Sequence, residues 1–567
     1  MTKHGPVAFA IVLASLVSVA APARAQKQEK VAGLPADEAM RLGERMYREG
    51  VLPSGEPMMA LVSEDIEVES TMFSCSSCHL HSGRGTLEGT VITLPTCGSW
   101  LYKPLVGREM KQISQERLPA AFDPPPFRDA YTDKLVARAI WAGKDPNDRE
   151  FNWVMPRYKM STTDMEILVH YLKNLSAVFS PGVDDTTLRF ATVVSDGVSV
   201  ADRNAMLEPL NAHVRDHNSQ VRHNERRAQH GPWEMEEMYA AYRRYSLAVW
   251  ELKGDRSTWP AQLDAYYREA PVFALLGGIV TGEWAPIHSF CERHQIPCLF
   301  PITDHPVVSE TDWYTLYFDK GFYQEGETAA RFLRRVDGPA GDAPVVQVLR
   351  DSPAGRDAAI GFAAARSSMG LPAATEVLVA PEQVVDAGFW SRLAAGHPGA
   401  VLAIWLEPTD LSEVAALATV EPRPPLALAS FGLLGGELAA LPSEVRPFTF
   451  ITHPGSLPED VGRSSLAVAS WLRAKKIPVT NLEVQAKMYF LGWTLTELVH
   501  MMRDDFYRDY FFDIADMMRD ETYSIAAAYP RVSFGPGQRY ASKGCYVVQL
   551  DDSDPPKLVK RSDWVIH

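Results

Sequence analysis

From Leu188 onward, short β-rich apolar runs alternate with amphipathic helical stretches, and this alternation constrains the fold most. The predicted strands are Leu188–Val194, Tyr245–Trp250, Val272–Leu276, Ile296–Phe300, Val345–Leu349, Val377–Ala380 and Val401–Leu406. Helical patterns fall between them, near Asp202–Val214 and at Pro260–Glu269, Ala285–His294, Gly326–Leu333 and Ala354–Met369. Such alternation implies βαβ units on parallel sheets. The region from Thr187 to His567 is too long for one ordinary domain, so two α/β lobes are expected.

The N-terminus reads differently. Lys3 and His4 precede an apolar run, Val7–Val19, and Ala23-Arg24-Ala25 follows. This is the pattern of a secretory signal peptide over residues 1–25, cleaved before Gln26. It points to a soluble protein of the periplasm, if the source has two membranes. A net charge of −15 over 567 residues argues against a nucleic-acid partner.

Six cysteines are present. Cys75-Ser76-Ser77-Cys78-His79 has the spacing at which two thiols bond one haem and the adjacent histidine becomes its proximal ligand. Cys291 and Cys298 are either a disulfide, which an oxidising compartment permits, or two buried thiols. Cys97 and Cys545 have no assigned partner.

The stretch from Ala36 to Ser180 resembles a monohaem cytochrome c. The resemblance rests on CSSCH, on Met155-Pro156 and on Tyr171-Leu172 in a helix capped by Ser161 or Thr162. Gly43 and Tyr47 in the first helix add to it. It implies an all-α domain with one covalent haem c. Cys75 and Cys78 would attach the haem, His79 and Met155 would hold the iron, and the Pro95 carbonyl would orient the His79 ring. Met160, a histidine or an open position are the rival sixth ligands. A His/Met iron suits electron transfer to a periplasmic redox partner.

The second region resembles periplasmic binding proteins of the branched-chain amino-acid and amide type, which serve ABC transporters. The carrying residues are Gly277-Gly278-Ile279-Val280-Thr281-Gly282-Glu283-Trp284, Thr303-Asp304-His305-Pro306, Gln485–Tyr489 and Gly535–Arg539. Ala354 interrupts a Tyr-Gly pair common in that family. The resemblance implies a clamshell with Thr281 and Thr303 on an amino-acid-like or amide ligand, Trp284 as an apolar wall and a transporter permease as partner. Thr281 equally suits a helix cap. His213, His217, His223 and His230 read as a solvated charged connection rather than a metal site.

The expected architecture is therefore an all-α cytochrome c domain, 36–180, followed by a two-lobed α/β clamshell, 187–567. The leading functional expectation is a non-enzymatic electron carrier with a fused binding module. The alternatives are a transport receptor with an accessory haem and a haem enzyme or gas sensor.

Overall fold

The computed structural model describes residues 30–63, 65–88, 91–106, 127–228, 243–458, 462–518, 528–535 and 537–566. The signal-peptide expectation for residues 1–25, and His230, lie outside them. The chain divides into two compact units, one made of residues up to Ser77 with Trp100–Leu175, the other of Cys78–Ser99 with Ser176–His567.

In the smaller unit, helices Ala36–Glu49 and Thr162–Asn174 cross closely at Gly43. The Ser161 hydroxyl accepts from the Asp164 amide at 3.1 Å and starts the second helix. Helix Asp133–Ala142 starts in the same way, on Thr132. This unit is not all-α. Met59–Val62 pairs antiparallel with both Ile66–Glu69 and Arg157–Lys159, making a three-stranded sheet. The residues after Ser77 group with the larger unit. The expectation of an all-α cytochrome c domain is corrected on both counts. The strands escaped the sequence reading because they are only three or four residues long.

The larger unit carries two sheets. The first lobe has five parallel strands in the order Thr315–Leu316, Cys298–Leu299, Ala274–Leu276, Thr187–Ser195, Arg244–Leu252. The second lobe is an eight-stranded sheet. Its strands Thr375–Val379, Val345–Arg350, Val401–Trp405, Ala427–Ser430 and Thr449–His453 run parallel, and Gly544–Leu550 and Leu558–Lys560 add antiparallel. Val345–Arg350 and Val401–Trp405 are buried almost throughout because helices cover both faces, as their continuous apolar runs require.

The chain passes between the lobes at three places: after Leu316, after His453, and between Met517 and Gly544. Tyr317 and Tyr540 pair where the first and third passages run side by side. Helix Leu482–Met502 follows the second passage and packs into the first lobe's core through Met488, Leu491 and Leu495. Among the described residues, no helix is long and apolar enough to cross a membrane.

One helix is longer than its pattern suggested: Val200–Ala228 continues through the stretch read as a solvated connection. Asn218 accepts from the Tyr245 amide at 2.8 Å and donates to the Tyr245 carbonyl at 2.9 Å. His217 stacks on the Tyr245 ring with centroids 3.5 Å apart, and His213 Nε2 bonds the Thr496 hydroxyl at 3.1 Å. These two histidines tie the helix down, whereas His223 is exposed.

Candidate functional site

Parallel α/β sheets bind ligands at the carboxyl ends of their strands, where loops and helix starts converge. Here those ends and the inter-lobe passages bring together Asp304, His305, Asp319, His453, Glu483, Lys487 and Tyr529. Asp304 and His305 follow the strand Cys298–Leu299, Asp319 and Tyr529 lie in passages, and His453 ends its strand. Asn481 caps helix Leu482–Met502 by accepting from the Val484 amide at 3.3 Å, which fixes Glu483 and Lys487 in its first turns.

Lys487 organises the cluster. Its Nζ donates to Glu483 Oε1 at 2.8 Å and lies 5.7 Å from the ring centroids of both Phe318 and Tyr529. Burial works against the ammonium, but Glu483, Asp319 and Asp304 outweigh it and hold its pKa above the ordinary lysine value. Lys487 in turn holds the Glu483 carboxyl below its ordinary value. Burial pushes the Asp304 pKa above its ordinary value, with Lys487 partly offsetting it. Tyr529 donates to Asp319 Oδ2 at 2.6 Å, and the Gly321 amide holds Asp319 Oδ1 at 2.8 Å. Three carboxylates thus surround one ammonium.

The lobes also touch directly. His305 Nδ1 donates to Asp357 Oδ2 at 2.8 Å, joining a first-lobe loop to helix Pro353–Ser368 of the second. On the second-lobe side, His453 bonds the Gly455 carbonyl through Nδ1 at 3.0 Å and packs against Phe431 at 4.3 Å.

The structure distributes the residues singled out in the sequence. Thr303 Oγ1 accepts from the His305 amide at 3.1 Å, which places Thr303 beside the cluster. Thr281 is exposed, and its amide donates to Ser195 Oγ at 2.9 Å. Trp284 is fully buried in the first lobe's core, under the Gly277-Gly278 turn. Both glycines have positive φ, and a Cβ on Gly278 would meet the Trp284 ring at 2.5 Å, so this close approach requires glycine. Asp319, Glu483 and Tyr529 were not singled out, because their positions in sequence carry no shared spacing.

Cys75, Cys78 and His79 form one helical turn, Cys75–His79. His79 Nδ1 bonds the Leu94 carbonyl at 3.0 Å, not that of Pro95, which is partly buried next to it. The surroundings push the His79 pKa down to about 4, with the Leu94 carbonyl partly offsetting this. His79 and Met155 fall in different compact units, and the Met155 amide donates to the Asn152 carbonyl at 3.1 Å. Among the described residues, no group of three or more His, Cys, Asp or Glu side chains is placed to hold a metal ion. The haem c expectation, with iron on His79 and Met155, is corrected on that finding. The electron-carrier reading and its redox partner are withdrawn with it. Cys291 and Cys298 are two buried free thiols.

No family model and no curated protein matches the chain. Among solved structures it is similar to a solute-binding protein of an ABC transporter from Rhodopseudomonas palustris HaA2 in complex with p-hydroxybenzoic acid. The identity is 11%, over 67% of this chain and 97% of that one, with a TM-score of 0.45. A branched-chain amino-acid ABC transporter protein from Thermus thermophilus with bound valine is 12% identical over 68% of this chain and 97% of that one, at a TM-score of 0.44. A fatty acid ABC transporter substrate-binding protein from Thermomonospora curvata is 14% identical over 69% and 95%, at 0.42.

Proposed function

We propose that this chain is a binding protein rather than an enzyme, an exported solute receptor that closes its two lobes on a small polar molecule and presents it to a membrane transporter. The observation that carries this reading is the His305–Asp357 bond, which joins the lobes beside the Lys487 cluster. A solute enclosed there meets Glu483, Asp319 and Asp304 as acceptors and Lys487 as a donor. An amino-acid-like or amide solute supplies the matching groups: a cationic or amide nitrogen for the carboxylates and an oxygen for the ammonium. Phe318, Tyr529 and Phe431 provide flat apolar surface around those polar contacts.

A thermal-shift screen of amino acids, amides, amines and simple carboxylates tests this. A ligand at a hundredfold its Kd stabilises the folded state by about 2.7 kcal/mol, which such a screen resolves. Nitrogen-bearing solutes are expected to stabilise the protein, and Asp319→Asn to weaken the best of them about tenfold or more. Stabilisation by plain carboxylates alone, or by nothing in the panel, would sink the reading.

A further inference from the structure

The segment that carries Cys78 and His79 is built into the first lobe at the place where the chain passes to the second. The Asp513 carboxylate, on helix Arg508–Met517, accepts from the His81 amide at 3.1 Å and the Ser82 amide at 2.9 Å. Arg84 forms an ion pair with Asp505, and the Ser176 hydroxyl donates to the Ser82 carbonyl at 2.8 Å. The His81 ring stacks on Trp313 with centroids 3.7 Å apart.

Trp313 is shared. The Arg539 guanidinium lies 3.8 Å from the centroid of the same indole, and Arg539 belongs to the third passage between the lobes. Its Nη1 donates to Asp516 at 2.8 Å, one helical turn from Asp513. Its carbonyl accepts from the Tyr317 amide at 2.8 Å, in the first passage. Two routes therefore join His81 to the passages: through the Trp313 ring, and through the Asp513–Asp516 turn.

We infer that opening and closing of the lobes is transmitted through Trp313 and Arg539 to the turn His81–Arg84, so that this turn reports the state of the clamshell. Rotation of one lobe on the other must shift the passages, and Arg539 cannot move with its passage without sliding on Trp313 or dragging Asp516. Either displacement reaches the His81-Ser82 amides. This inference rests on the proposed closure around a solute, but its test needs no solute, so failure to find a ligand leaves the outcome readable.

The test is amide hydrogen exchange on the full-length protein, with two variants read at each other's site. Arg539→Lys keeps the charge for Asp516 but loses the planar stack; it is expected to speed exchange at His81 and Ser82 about tenfold. His81→Ala removes the ring on Trp313 together with its 3.9 Å approach to Asp513; it is expected to speed exchange several-fold at Tyr317 and at Ala541, whose amide donates to the Tyr317 carbonyl at 3.1 Å, because coupling is reciprocal. The strand Val345–Arg350 is the control and should not change. No change at the remote amides in either variant overturns the inference, as does an equal rise in the control strand.

Discussion

Lys487 and Glu483 sit one helical turn apart on the helix that follows the second passage between the lobes, and their 2.8 Å ion pair is lopsided in exposure. The Lys487 side chain is 14% exposed and that of Glu483 69%. The two partners should therefore cost different amounts to remove. Lys487→Met leaves Asp319 and Asp304 facing each other without the cation between them, and should destabilise the protein by about 2–3 kcal/mol. Glu483→Gln removes a partner that water largely replaces, and should cost under about 1 kcal/mol. Urea denaturation of both variants gives the comparison, and equal losses would mean that Lys487 is not the centre of the cluster.

Gly43 marks where helices Ala36–Glu49 and Thr162–Asn174 come closest. A Cβ there would lie 2.5 Å from Tyr171 Cβ and 2.9 Å from the Ile167 carbonyl oxygen. Alanine is the better helix former by about 1 kcal/mol, but the helices must separate to accept it. Gly43→Ala is expected to lose about 2 kcal/mol net and to raise protease sensitivity in Ala36–Glu49 first. A stabilised variant would show that the crossing can relax.

The same residue shows what the sequence did and did not disclose. Helical spacing puts Gly43 and Tyr47 on one face of their helix, but their meeting with Tyr171, at 5.5 Å between the Tyr47 and Tyr171 rings, was implied only by the resemblance and not by the spacing. The strands predicted between Leu188 and Leu406 were legible because burial on two faces leaves continuous runs such as Val401–Trp405, whereas Ala427–Ser430, Thr449–His453 and Gly544–Leu550 were not singled out. The sheet Met59–Val62, Ile66–Glu69, Arg157–Lys159 was not, because its third strand lies about ninety residues away and is three residues long. The cluster at Lys487 was illegible too. Asp304, Asp319, Glu483 and Tyr529 meet only because the chain passes between the lobes three times, and periodicity records nothing of such meetings.

Glu325 is buried and accepts from the Phe431 amide at 2.8 Å, the Gly432 amide at 3.1 Å and the Thr452 hydroxyl at 3.0 Å. Burial nevertheless pushes its pKa up to about 8, against an ordinary 4.5. The folded state therefore binds this proton more tightly than the unfolded one. The stability it contributes is complete below about pH 4.5 and is lost as pH rises through about 8. Glu325→Gln has no proton to lose. Its stability relative to wild type should improve as pH rises from 5 to 8, by up to roughly 1.4 kcal/mol per pH unit. Chemical denaturation of both proteins across that range measures it. A constant difference would mean that the three donors keep the carboxylate ionised.

Arg508 works through uncharged acceptors instead. It is 6% exposed and starts helix Arg508–Met517. Its Nε donates to the Phe273 carbonyl at 3.0 Å, and Nη1 to those of His294 at 3.1 Å and Gln295 at 3.3 Å. Nη2 reaches the Val272 carbonyl at 2.5 Å, the Pro181 carbonyl at 3.3 Å and the Tyr267 hydroxyl at 3.1 Å. A guanidinium can serve these six acceptors, with one Nη2 hydrogen shared between two of them, because it carries five N–H donors in a rigid fork. Lysine has three donors on one atom and cannot reach acceptors spread around the fork. Arg508→Lys should therefore strand buried carbonyls and cost about 2–4 kcal/mol. Arg508→Ala should cost more, since it also empties the volume between Tyr267 and the strand end. Urea denaturation of both variants measures the two losses, and an equal loss for lysine and alanine would mean that the carbonyl fork does not set the worth of Arg508.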